Sequence, residues 1–218
     1  MENLDKTEKY KELETIWDEI KEPERRFCPH PLWAWNDRLE ETLCREEIDE
    51  MAKAGAGGFF MHARTGLSTE YLSKEWIEVT ESCIRYASEK GLIPWGYDED
   101  GWPSGFAGGK VQAENPETMI TWLECLPGET VSEQEHILLR FRLEEDGAYQ
   151  IVQEGFSEDF AIVVRSNSGY VDLLNPVTTK TFIQQTHGKY KESLSGEAWG
   201  KLGGFFTDEP QFKRENIP

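Results

Sequence analysis

Two stretches of this chain enter through the same four residues, Gly-Gly-Phe-Phe, at 57–60 and again at 203–206. Each is a short apolar run that ends in polar side chains. The first reaches His62 and the second reaches Asp208 and Glu209. Two further runs share this form: "RFCPHPLWAWND" (26–37) is extended and ends at Trp35 and Asn36, and "LIPWGYDED" (92–100) ends at Asp98, Glu99 and Asp100. Helical periodicity fills the intervals. Residues 42–55 place Cys44, Ile48, Met51 and Ala52 on one face with Gly55 as a stop, and residues 73–91 start at an N-capping Ser73 and bury Trp76, Cys83, Ile84 and Ala87. Alternation of strand and helix demands parallel strands joined by crossover helices. In such folds ligands bind outside the carboxyl ends of the strands, where these polar residues fall.

The rhythm breaks between about 118 and 171, where the chain reads as β throughout. "HILLRFRL" sets Ile137, Leu139, Phe141 and Leu143 on one side, "EEDG" turns, and "AYQIVQ" and "FAIVVR" follow. The helical pattern returns at Asn175, a good N-cap before Pro176, with Phe182, Ile183, Thr186 and Tyr190 as its apolar stripe. An amphipathic helix carrying Leu13, Ile16, Trp17 and Ile20 comes first and closes at Pro23. The expected organisation is therefore an N-terminal helix over 1–24, three strand–helix units over 25–117, an inserted antiparallel β subdomain over 118–171, and a helix with a fourth strand over 172–218. The expected fold class is α/β, a partial (β/α)8 barrel of about four units with the insertion after strand 3. A doubly wound sheet is the runner-up, but no glycine phosphate loop joins a strand to a helix, and "GFAGGK" lacks the spacing of a phosphate-binding loop.

Charge excludes some partners. With 42 acidic against 23 basic residues the net charge is −19, the wrong sign for nucleic acid, whose phosphates need cationic partners. No run approaches the roughly 20 apolar residues of a membrane span, and the first residues lack the apolar core of a signal peptide, so a cytoplasmic chain is expected. The four cysteines form no Cys-x-x-Cys pair and read as buried free thiols rather than metal ligands.

Carboxylates converging with tryptophans suit carbohydrate. Sugars present apolar ring faces that stack on Trp and hydroxyls that need acceptors. Glycoside hydrolysis uses two carboxyl groups, one donating a proton to the leaving oxygen. Glu209 is the candidate acid, because Pro210 pins its backbone and the apolar strand before it is expected to desolvate it. Trp35, Asn36, His62, Asp98, Glu99, Asp100, Trp102 and Asp208 form the candidate sugar-binding set, although for Trp33 and Trp35 core packing is weighed ahead of stacking.

"YDEDGWPSGFAGGKV" and "GGFFTDEP", joined by "VDLLNPVTTKTFIQQTHGKYKESL", resemble the glycoside hydrolases of the α-L-rhamnosidase type, family 106 and its relatives. "FCPHPLWAWND" and the segment 71–100 resemble the same proteins, so the likeness runs over roughly residues 26–212. It implies a (β/α)8 catalytic barrel with a β insertion after its third strand, cleavage of terminal sugars such as rhamnose, Glu209 as the acid carboxylate, and Asp98, Glu99 and Asp100 in the loop lining the sugar pocket. It also implies an inverting, calcium-assisted reaction, with Asp98–Asp100 as the place for calcium and no ligand assigned.

Proteins of that type are long and usually exported. A chain holding four of about eight strands is expected to lack the second catalytic carboxylate, and its exposed strand edges favour self-association or completion by a second chain. A carbohydrate-binding module without turnover, and an enzyme of another kind holding a divalent metal at Asp98–Asp100, are the alternatives.

Overall fold

The structure, a computed structural model, describes residues 16–18, 20–132, 134–153 and 159–211. The first elements are β1 (Leu32–Trp35), α1 (Glu41–Lys53), β2 (Gly58–Ala63), α2 (Lys74–Glu89), β3 (Ile93–Asp100) and the short α3 (Lys110–Glu114). Four strands follow, β4 (Met119–Pro127), β5 (His136–Leu143), β6 (Tyr149–Val152) and β7 (Phe160–Val171). The chain ends its regular structure with α4 (Pro176–Ile183), a π-helical turn (Gln184–Gly188), α5 (Lys189–Ser193), α6 (Gly196–Lys201) and β8 (Phe205–Phe206). It divides into two compact units, Met1–Gly108 with Ile183–Pro210, and Gly109–Phe182 with Gln211–Pro218. The expected N-terminal helix lies largely outside the described residues; Ile16, Trp17 and Ile20, which are described, are exposed.

The first unit is a four-stranded parallel sheet in the order β1-β2-β3-β8. Its core packs one face of the sheet against α1 and α2, where Ile48, Phe59, Met61, Trp76, Cys83 and Ile84 are completely or almost completely buried. Burying side chains of this size stabilises by about 1.5–3 kcal/mol each. Ser73 caps α2, accepting a hydrogen bond from the Trp76 amide at 3.2 Å. Gly55 (φ 84°) and Gly91 (φ 72°) end the two helices in the left-handed conformation that glycine adopts without strain.

Close approach explains the repeated Gly-Gly. A Cβ on Gly57 would sit 1.9 Å from the Arg25 carbonyl oxygen, and one on Gly58 would sit 1.9 Å from that of Ile93. At the second copy the neighbour is an indole: a Cβ on Gly203 or Gly204 would lie within 2.9 Å of the Trp95 ring. Both pairs therefore let a strand seat itself against a wall that any side chain would push away. The phenylalanines after them extend an aromatic face, with Phe60 5.7 Å from Trp95 and 5.2 Å from Phe206.

The second unit is an antiparallel sheet in the order β4-β7-β5-β6. Val163, Ala161 and Ile120 are buried in it, and the buried Asp159 accepts two hydrogen bonds from the Arg142 guanidinium. Asn175 caps α4 by accepting from the Val177 amide at 3.0 Å. Three sequence expectations need correction. Ile183 is half exposed rather than part of a buried stripe, because Phe182 takes the inward position. Leu143 is likewise half exposed: it closes β5 opposite the exposed Tyr149, whereas Ile137, Leu139 and Phe141 stay partly buried. Cys125 is an exposed free thiol, whereas Cys44 and Cys83 are buried.

Candidate functional site

The site forms where β3 and β8 end. Met61 lies opposite Gly96 but Ala63 lies opposite Asp100, so β3 advances four residues while β2 advances two. Bulges of this sort re-aim side chains and are common beside active sites. This one sends Tyr97, Asp98 and Glu99 to three different sets of partners.

Glu99 is fully buried and serves the loop that follows it. Its two oxygens accept from the amides of Asp100, Gly105, Phe106, Ala107 and Gly108 at 2.6–3.1 Å. Burial pushes its pKa up while these amides pull it down, and burial prevails. Asp98, also fully buried, ties two chain segments together. It accepts from Ser104 Oγ at 2.6 Å and from Thr207 Oγ1 at 2.5 Å, and His187 Nε2 lies 3.6 Å away. Burial raises the Asp98 pKa, and burial lowers that of His187. Ser104 then reaches β8 by its backbone amide, which donates to the Asp208 carbonyl, and by its Oγ, which accepts from the Asp208 amide.

Asp208 is half buried, and its Oδ2 accepts from Tyr97 OH at 2.8 Å. Burial and this bond drive the Tyr97 pKa far above its ordinary value, so the phenol remains a donor. His62 stacks on Tyr97 with centroids 3.5 Å apart. Its Nε2 lies 3.2 Å from the Gly101 carbonyl, which can only accept, so Nε2 carries the proton. Burial lowers its pKa, and the ring is neutral near pH 7.

Glu209 is exposed, and its φ of 43° is a left-handed conformation that glutamate rarely adopts. The burial expected there falls instead on Asp98 and Glu99. Trp102, 39% exposed, stands with Arg64, Thr65 and Gly101 around a cleft of about 270 Å³. Trp35 is core: it is 3% exposed and packs edge-on against Trp33 and Trp76, out of reach of any ligand. Asn36 is exposed, and its carbonyl lies beneath Gly66, where a Cβ would come within 2.6 Å of it. Asp100 is partly exposed and backs onto Gly108.

The Asp98–Asp100 run does not fit a calcium site. Calcium needs six to eight converging oxygens, whereas the oxygens of Asp98 and Glu99 point at different protein donors. Among the described residues no group of three or more His, Cys, Asp or Glu side chains is placed to hold a metal. Sequence reasoning missed Tyr97, Ser104, Thr207 and His187. Only His187 carried a legible signal, a histidine within a helical stripe.

The molecule is thus a mixed α/β protein, with a four-stranded parallel sheet in one unit, a four-stranded antiparallel sheet in the other, and a cluster of carboxylates at the parallel strand ends. No family model matches the chain, and no curated protein is significantly similar to it. Among solved structures, a rhamnosidase from Novosphingobium sp. PP1Y is similar at 18% identity and a TM-score of 0.39, over 54% of this chain and 12% of that protein.

Proposed function

We propose that the parallel unit is part of the (β/α)8 catalytic barrel of a glycoside hydrolase of the α-L-rhamnosidase type, with Glu209 as its general acid. The backbone of Glu209 carries this reading. A non-glycine residue at φ 43° costs on the order of 1–3 kcal/mol and persists only where its surroundings hold it. Here the cost places an exposed carboxyl at the carboxyl end of a parallel strand, next to an Asp208 whose backbone and side chain are both fixed. The "YDEDGWPSGFAGGKV" and "GGFFTDEP" resemblance supports the same assignment.

In this reading Glu209 protonates the glycosidic oxygen, and water attacks from the opposite face of the ring. Trp102 offers a stacking surface, while Asp208, His62 and Asn36 meet hydroxyls. Asp98 and Glu99 act as positioning residues: one joins the loop to β8 and the other shapes the loop. A carboxylate on a strand outside these four activates the water. The antiparallel unit is the insertion after the third strand.

The test is hydrolysis of an aryl α-L-rhamnoside by the folded chain beside Glu209→Gln, with tryptophan fluorescence as the binding readout. Hydrolysis abolished by Glu209→Gln supports the assignment. Hydrolysis that survives the substitution sinks Glu209 as the acid. Sugar binding without hydrolysis is expected if the water-activating carboxylate lies outside these strands. Supplying the missing half in trans should then restore hydrolysis that Glu209→Gln abolishes. Binding with no hydrolysis even then leaves a carbohydrate-binding role in its place.

A further inference from the structure

We infer that Cys44 and Cys83 form a redox site, the two sulfurs joining in a disulfide that ties α1 to α2. This stands apart from the carbohydrate reading and does not depend on it. The two helices pack side by side in the first unit, and their outer contacts fix the register. Arg45 donates to Ser82 Oγ at 3.0 Å, and Ser82 in turn donates to Glu41 at 2.7 Å. One turn further along both helices, Tyr86 donates to Asp49 at 3.0 Å, and Lys90 pairs with the same carboxylate at 2.8 Å. Arg45–Ser82 and Asp49–Tyr86 share one sequence separation, 37 residues, so the helices run together without sliding. Cys44 and Cys83 are the inward neighbours of Arg45 and Ser82. Both lie in the core cluster, 5% and 0% exposed, so they meet behind the first of these contacts.

The other thiols are placed differently. Cys28 donates to the carbonyls of Pro23 and Glu24, and Cys125 stands exposed on β4 of the other unit. Within the core pair the Cys83 thiol donates to the Cys44 sulfur. That bond holds the Cys44 thiol below its ordinary pKa and pushes that of Cys83 well up. Cys44 is therefore the sulfur that reacts first, and it is also the one of the two that touches solvent. A hydroperoxide is the class of oxidant small enough to reach it. The Cys44 thiolate attacks one peroxide oxygen, the O–O bond breaks, and Cys44 becomes a sulfenic acid while the other oxygen leaves as water. Cys83 then attacks the Cys44 sulfur. The S–S bond forms, and the sulfenic oxygen leaves as a second water with the Cys83 proton. The two thiols lose two electrons and two protons, and hydrogen peroxide takes up both. The bond closes a loop that contains β2, and such cross-links stabilise a fold chiefly by restricting the unfolded chain.

The folded full chain is treated with hydrogen peroxide, the remaining thiols are alkylated with iodoacetamide, and tryptic peptides are mapped by mass spectrometry. The expected product is one linked species joining residues 39–45 to 75–85, lighter by two hydrogens than the sum of its parts, with Cys28 and Cys125 outside any disulfide. The urea midpoint should rise on oxidation and return with dithiothreitol. Cys44→Ala and Cys83→Ala, each compared before and after peroxide, should show no such shift. Cys44 recovered as a sulfinic acid, with Cys83 alkylated, overturns the pairing. So does a bond that uses Cys28 or Cys125 instead. A link that forms faster in the urea-unfolded chain than in the folded one also overturns the inference, because unfolding, not the packing of α1 on α2, would then supply the contact.

Discussion

Two adjacent acidic pairs stand at the ends of neighbouring parallel strands, Asp98–Glu99 on β3 and Asp208–Glu209 on β8. The chain treats them oppositely. The first pair is fully buried and taken up by protein donors, Glu99 by five amides and Asp98 by two hydroxyls. In the second pair, Asp208 is half buried and holds one phenol, while Glu209 is exposed. Two carboxylates therefore build a loop, and two others stay open to solvent, where the proposed function has them face a ligand. Acidic residues that read alike at two strand ends are thus divided by desolvation into buried scaffold and accessible carboxylates.

The largest effect that probes this contrast is expected at Glu99. Glu99→Ala leaves five amides, those of Gly105 and Ala107 buried, without their acceptor and should cost about 3–5 kcal/mol in chemical denaturation. A loss under about 1 kcal/mol would mean that the loop holds itself. The pH dependence comes next. His62 has its folded pKa depressed below 6.5 by burial, so the unfolded chain binds the proton more readily. Its contribution is present above pH 6.5 and is lost as pH falls through the lower folded value, with a slope of up to about 1.4 kcal/mol per pH unit. Urea midpoints from pH 7.5 to 5 should fall less steeply in His62→Gln than in the parent, and identical slopes would refute the assignment. The smallest effect belongs to Glu209. Glu209→Gly relieves the left-handed backbone and should leave stability unchanged or raise it by roughly 1 kcal/mol, while removing any acid catalysis. A clear destabilisation would put Glu209 with Asp98 and Glu99 as scaffold.

Much of the parallel unit was legible in the chain. The periodicity of residues 42–55 and 73–91, the Ser73 cap and the two glycine stops depend on neighbours within a few residues, and each appears where expected. The four-stranded sheet follows from the alternation of those elements. The site was less legible. Its carboxylates could be named, but their roles turn on partners far along the chain: Tyr97 and Asp208 are 111 residues apart, as are Asp98 and Thr207 at 109. The bulge that re-aims β3 leaves no mark in a sequence of alternating character. Trp35 illustrates the same limit, since an indole at a strand end reads alike whether it faces a sugar or, as here, another indole.

By itself, the sequence determined the order of strands and helices, the helix ends and the side of the sheet on which the polar residues gather. Those depend on local hydrogen bonding, on backbone freedom at glycine and on the period of apolar side chains. The tertiary structure alone decided which carboxylates are buried, which amides and hydroxyls take them up and which glutamate is held at a positive φ. Desolvation and pairing are set by what packs against a group from elsewhere in the chain, and no window of neighbouring residues contains that information.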